Sequence, residues 1–227
     1  MDDIVLMSDP AVTSIPVQEN GDPLRDLRDH PEFRLDPRLA DSEGAYAHLR
    51  AGVVERLLTA LPLLPDGLRF LVVEGYRPLA LQVAYFERHV RDLRKINPEW
   101  SSERLHREAS RSLSPPQIGP HVCGAAVDLT LCTVTGAELP MGTEVDADLA
   151  EEPACYTDAT GLPADAARNR RILVETLSSV GLVNYPTEWW HWSYGDRYWA
   201  LVTGAPAALY GQLSFPTPQR LAVPRRA

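Results

Sequence analysis

The sequence predicts an α+β fold, a small mixed sheet flanked by helices. Two observations carry this expectation. First, "LRFLVVEGY" (68–76) is β-branched and aromatic and reads as a buried strand, and "AAVDLTL" (125–131) alternates, with Val127, Leu129 and Leu131 on one face and Asp128 and Thr130 on the other. Second, segments with helical spacing lie between and after these strands without the regular strand–helix alternation of a doubly wound parallel sheet.

The elements follow in order. Residues 1–40 are rich in Pro, Asp and Arg and read as an irregular N-terminal arm. Asp41 or Ser42 can cap a helix carrying Tyr46, Leu49, Val53, Leu57 and Leu61, which Pro62 ends. After the first strand, Pro78 suits a first helical position, and Leu79, Val83, Phe86, Val90 and Leu93 mark one face of the helix that follows. A shorter helix over 101–113 has Ser101 as its cap. "SPPQIGP" (114–120) is excluded from regular structure, because its prolines fix φ and remove donors.

Residues 135–162 carry Gly, Pro and acids and read as a long loop. A helix over 163–180 stops at Gly181. "EWWHWSY" (188–194) reads as a strand, followed by a short helix over 196–202. Residues 215–227, with the only basic run, read as a flexible tail.

Length and composition narrow the function classes. A chain of 227 residues suits a single domain over 1–227, since single domains extend to ~250 residues. The net charge of -9 disfavours phosphate backbones, so no nucleic-acid partner is expected. Three cysteines make an odd, sparse set that fits a reducing compartment rather than a disulfide framework. There is no apolar run long enough for a membrane span and no leader pattern, which makes the cytoplasm the expected location.

Polar groups stand where a core should be apolar. His121 and Asp128 are seven residues apart in "PHVCGAAVDLTL", and Glu188 and His191 sit inside the tryptophan cluster "TEWWHW". Two histidines and one carboxylate form a three-ligand set for a catalytic zinc, with a fourth position for water and a second carboxylate as general base. Residues three apart on a strand point to opposite faces, so Glu188 and His191 cannot both ligate from one regular strand. Glu188 in the turn after Pro186 could instead reach over the site. The structural alternative is that these histidines and tryptophans are core packing and that Arg77, in "GYRP", is a surface charge. His121 and Cys123 could also form a soft ligand pair, although Cys123 reads better as a small buried hydrophobe.

Three ordered motifs, "EGYRP", "PHVCGAAVDLTL" and "NYPTEWWHWSYGDRYW", together resemble the D-alanyl-D-alanine dipeptidases of the vancomycin-resistance type, zinc peptidases that share a fold with the hedgehog signalling domain. The resemblance runs from about residue 14 to about residue 202. It implies one zinc per chain held by His121, Asp128 and His191, with Glu188 as catalytic base. It further implies that Arg77 stabilises the tetrahedral intermediate and that Asp146 meets the substrate ammonium. The substrate implied is a small dipeptide, D-alanyl-D-alanine, which links the chain to cell-wall precursors and antibiotic resistance. The tryptophans are then expected to wall a small dry chamber.

Two departures bear on specificity. Gly119 stands where the family pattern has serine, and the loop after Asp146, "ADLAEEPACYTDATG", lacks a Ser-His run. The alternatives are a zinc enzyme of the same fold acting on another D- or mixed-chirality dipeptide or a secondary-metabolite intermediate, and a non-catalytic zinc-site binding protein.

Overall fold

The computed structural model describes residues 4–147 and 153–215. Its centre is a five-stranded sheet in the order β2-β4-β5-β7-β6, formed by β2 (Arg34–Leu35), β4 (Leu68–Glu74), β5 (Ala126–Thr133), β6 (Val183–Asn184) and β7 (His191–Ser193). β2 pairs parallel with β4, and the remaining pairs are antiparallel. A second ladder joins β1 (Leu24–Asp26) to β3 (His48–Arg50). Helices α1 (Pro10–Thr13), α2 (Ala51–Ala60), α3 (Leu79–Ile96), α4 (Ser102–Ala109), α5 (Ala164–Ser179) and α6 (Arg197–Thr203) surround the sheets. The expected α+β architecture is therefore present.

β5 is buried on both faces, as its position between β4 and β7 requires. Val127, Leu129 and Leu131 enter the main core with Val53 and Leu57 of α2 and Leu173 and Leu177 of α5. Burying an aliphatic side chain of this size contributes about 1.5–3 kcal/mol, so this face anchors the sheet. The opposite face carries Asp128 and Thr130. Register then aligns three polar residues, because Asp128 pairs with His191 on one side and with Glu74 on the other. Glu74 reaches that row through a bulge. Val72 pairs with Leu129 and Glu74 with Asp128, so Val73 is the extra residue. Without the bulge, alternation would turn Glu74 towards the core.

Several expectations need correction. The helix expected from residue 42 begins only at Ala51. Residues 48–50 instead pair with β1, and the Arg50 amide donates to Gly124 O at 2.9 Å. Tyr46 and Leu49 keep helical spacing, but strand pairing satisfies the backbone around Leu49, which is fully buried without a helix. Asp41 caps no helix; its carboxylate accepts from the amides of Glu43 and Tyr46 in the turn before a short 3-10 segment, Ala45–Ala47. The strand expected over 188–194 shrinks to His191–Ser193, because residues 185–190 form a turn. The N-terminal arm is irregular in large part, yet it supplies α1, β1 and β2, and Val17 bridges to Ala208. The histidines outside the motifs take no part in the core: His30, His48 and His89 are half-buried, and His106 is exposed. The expected tail lies outside the described residues except for Phe215, which stacks on Tyr76.

Two glycines are dictated by their surroundings. A side chain at Gly75 would place its Cβ 2.4 Å from His48 O, so only glycine lets β4 leave the sheet here. Gly124, at φ 66°, turns the chain from a short 3-10 segment (His121–Cys123) into β5.

Helix α6 depends on its cap. The buried Asp196 carboxylate accepts from the amides of Tyr198 and Trp199 at 3.0 and 3.1 Å. Asp196→Ala is expected to lower unfolding free energy by about 1–2 kcal/mol. Urea denaturation measures it, and an unchanged midpoint would reject the capping role.

Candidate active site

Three elements bring their side chains to one point. His121 comes from the 3-10 segment before β5, Asp128 from β5 and His191 from the start of β7. His121 Nε2 lies 3.2 Å from His191 Nδ1 and 3.4 Å from one Asp128 oxygen, while His191 Nδ1 is 2.9 Å from the other. All three residues are buried, and one donor atom from each lies within 4.8 Å of the others.

Local structure sets the donor atoms. His121 Nδ1 donates to Gly75 O at 2.7 Å, which leaves the Nε2 lone pair facing the cluster when the ring is neutral. Burial opposes the charge on Asp128, but His121 and His191 outweigh it and hold the carboxyl far below the usual range. The Nε2 lone pair of His121, the Nδ1 atom of His191 and the Asp128 carboxylate therefore converge. This donor set fits a small divalent cation. Cys123 takes no part: its buried thiol reaches towards Gly119 O at 3.5 Å and its pKa is pushed up to about 12 by burial.

Glu188 lies beside the cluster, in the turn the sequence suggested. Its amide donates to Tyr185 O, its carbonyl accepts from the His191 amide, and Asn184 Nδ2 donates to the same carbonyl at 3.0 Å. The carboxylate stops 3.8 Å from His191 Nδ1, too far for a hydrogen bond. Burial, followed by the negative Asp128 and Asp146, pushes its pKa well above the ordinary value, and Arg77 opposes this only in part. A carboxyl whose charged form is disfavoured in this way is suited to pick up a proton during a reaction.

Arg77 is buried, not a surface charge. Its Nε donates to Glu74 at 2.8 Å, a second nitrogen pairs with the other Glu74 oxygen, and the third donates to Gln82 Oε1 at 2.7 Å. Burial opposes the guanidinium charge, and Glu74 more than compensates, so Arg77 stays cationic. The sequence motifs do not single out Glu74 or Gln82. A signal for Glu74 exists: a carboxylate at the end of an apolar strand, three residues before an arginine.

Asp146 is the one non-glycine residue with positive φ among those described, at 65°. Backbone strain of this kind often accompanies a functional position. It lies at the cavity mouth with Arg77 and Glu188. Protein packing and then Asp128 push its pKa up to about 6. Part of the residue remains solvent-exposed, which tempers the effect and keeps the group ionised at neutral pH.

The cavity has two parts. A chamber of about 30 Å³ adjoins His121, Asp128 and His191, with Gly119, Met7 and Tyr185 among its walls. A wider space of about 360 Å³ adjoins Tyr85, Glu74 and Ala147. Arg77, Asp146, Glu188 and Trp190 line both. Of the tryptophans, only Trp190 faces the chamber; Trp189 and Trp192 belong to the main core with it. Met7 and Tyr185 carry no sequence signal, because their contribution depends on the N-terminal segment folding back over the turn before β7.

A buried donor set that could hold a cation, with a free carboxyl and an anchored guanidinium around one cavity, suits metal-assisted hydrolysis. Comparison with known proteins gives the family. The model for D-Ala-D-Ala dipeptidases, Peptidase_M15, matches residues 50–204. A D-alanyl-D-alanine dipeptidase of Synechocystis sp. is 30% identical over 222 residues, covering 82% of this chain and 87% of that one. The enzyme of the same name from Enterococcus faecium is 28% identical over 150 residues, covering 64% and 72%. The solved LdcB LD-carboxypeptidase aligns with a TM-score of 0.46 at 18% identity, covering 84% of this chain and 76% of that one. The chain belongs to the D-Ala-D-Ala dipeptidase family and is a peptidase. Its α+β architecture is accordingly that of the D-Ala-D-Ala dipeptidase family.

Proposed function

We propose that this chain is a zinc-dependent dipeptidase that hydrolyses D-alanyl-D-alanine to two D-alanines. The observation that carries the proposal is the convergence of His121 Nε2, His191 Nδ1 and the Asp128 carboxylate, with the Glu188 carboxyl beside them but outside bonding distance. His121, Asp128 and His191 would hold one zinc. Zinc supplies Lewis acidity, which acidifies a water and polarises a carbonyl.

The remaining chemistry belongs to the chain. Glu188 takes the proton from the attacking water, and the water oxygen adds to the peptide carbonyl. Arg77, fixed by Glu74 and Gln82, faces the negative charge that develops on the carbonyl oxygen. Glu188 then delivers its proton to the leaving nitrogen, so the C–N bond breaks and two free amino acids result. Asp146 binds the substrate ammonium. The small chamber excludes bulk water, which strengthens these charge interactions. The sparse cysteines support a cytoplasmic setting, and no helix among the described residues is long and apolar enough to cross a membrane.

A second reading keeps the chemistry and changes the dipeptide. It is favoured by Gly119, where an added Cβ would meet its nearest neighbours at 3.6–3.7 Å, so the wall has room. A non-catalytic binding role would leave the placement of Glu188 and Arg77 unexplained.

The test is substrate range. Dipeptides of all four chiralities, N-acetyl-D-alanyl-D-alanine and a tripeptide ending in D-alanyl-D-alanine are compared under one condition by mass spectrometry. Free D-alanyl-D-alanine is expected to be cleaved fastest. The blocked and longer forms are expected to be at least about 100-fold slower, since each leaves Asp146 unpaired. Equal rates on all forms would reject a strict dipeptidase.

A further inference from the structure

Arg170 is a buried cation for which no carboxylate partner exists among the described residues. It belongs to α5, does not line the chamber beside His121, Asp128 and His191, and spends its guanidinium on backbone carbonyls. Nε donates to Met141 O at 2.6 Å, one terminal nitrogen to Tyr156 O at 2.8 Å and the other to Ala154 O at 2.7 Å. Asn169 adds a bond to Pro140 O at 2.9 Å. These carbonyls lie on two described segments, 140–147, which carries Asp146, and 153–156. One planar group therefore joins both segments, and a lysine, with a point charge, could not match that fork.

The same guanidinium lies 5.2 Å from the ring centre of Trp189, the residue after Glu188. Trp189 is tied to the loop twice. Its Nε1 donates to Thr143 Oγ1 at 2.8 Å and its amide to Cys155 O at 3.0 Å. Arg170, the loop and the turn bearing Glu188 thus form one packed unit.

We infer that Arg170 is a positioning residue that fixes the Asp146 loop against the Glu188 turn and so sets the geometry in which a free-amine dipeptide is held. The inference rests on the proposed role of Asp146 as the ammonium partner. It explains how a loop with a left-handed aspartate keeps one conformation at the mouth of the cavity. Carbonyls are acceptors that orient the guanidinium without neutralising it, so the bond directions define the position.

The test uses the full, zinc-loaded chain with Arg170→Met, which keeps bulk and removes the donors, and with Arg170→Lys. Amide hydrogen exchange should accelerate in 141–147 and 153–156, with β5 unchanged and zinc content retained. KM for D-alanyl-D-alanine should rise at least about tenfold, with a smaller change in kcat, because a displaced binding group outside the zinc cradle weakens substrate positioning. Should Arg170→Met fail to fold, Arg170→Lys is expected to show the same changes at smaller size. Unchanged exchange in the loop overturns the inference, as does a loosened loop with unchanged KM and kcat. Asp146→Ala is measured alongside: an unchanged KM there rejects the ammonium role itself, whereas a raised KM there with a normal one in Arg170→Met rejects only the clamp.

Discussion

Glu188→Gln is expected to retain one zinc per chain and to lose turnover by about 100-fold or more. The carboxylate lies 3.8 Å from His191 Nδ1 and outside the group of converging donors, so the metal does not depend on it. The amide has the same shape and keeps the turn, whose hydrogen bonds run through the Glu188 backbone and not its side chain. What it loses is a group whose pKa burial and neighbouring carboxylates have raised, and which can therefore both accept and return a proton. Elemental analysis and steady-state rates on the same preparation check both halves. A near-normal rate would remove Glu188 from the mechanism, and a lost metal would make it a ligand.

His121→Ala and His191→Ala are expected to abolish both zinc binding and activity. Each removes one of three donors, and Cys123 reaches towards Gly119 and not the cluster. The clearest readout is thermal. Ligand that binds only the native state raises its stability by RT ln(1 + [L]/Kd), so added zinc should raise the melting temperature of the metal-free parent chain and leave the variants unmoved. Zinc retained at full stoichiometry in either variant would sink the ligand assignment.

Much of the site is legible in the sequence because it is written locally. His121 and Asp128 share one segment, and Glu188 and His191 share another. Because a strand alternates faces, Glu188 can stand beside His191 only from outside the strand, and β7 indeed begins at His191. The buried strands at Leu68–Glu74 and Ala126–Thr133 are equally plain, because their composition fits burial in a sheet. Asp146 is legible only through the family resemblance. Its surroundings are a loop, whose path follows from contacts with Arg170 and Trp189 far away in sequence.

By itself, then, the sequence determined the fold class, the two segments that carry His121, Asp128 and His191, and the carboxylate beside them, all properties of short-range pattern. The tertiary structure alone decided three other matters. Residues 48–50 are a strand because β1 pairs with them, and helical spacing could not compete with those hydrogen bonds. Arg77 is buried and held because a bulge at Val73 swings Glu74 to the face of Asp128, a change of register that no alternation pattern announces. Met7 and Tyr185 line the chamber because segments about 180 residues apart fold together; the Met7 amide meets the Tyr185 hydroxyl at 3.4 Å. The common reason is physical: periodicity records which side of an element is apolar, whereas pairing partners, bulges and chamber walls depend on what the rest of the chain brings to that side.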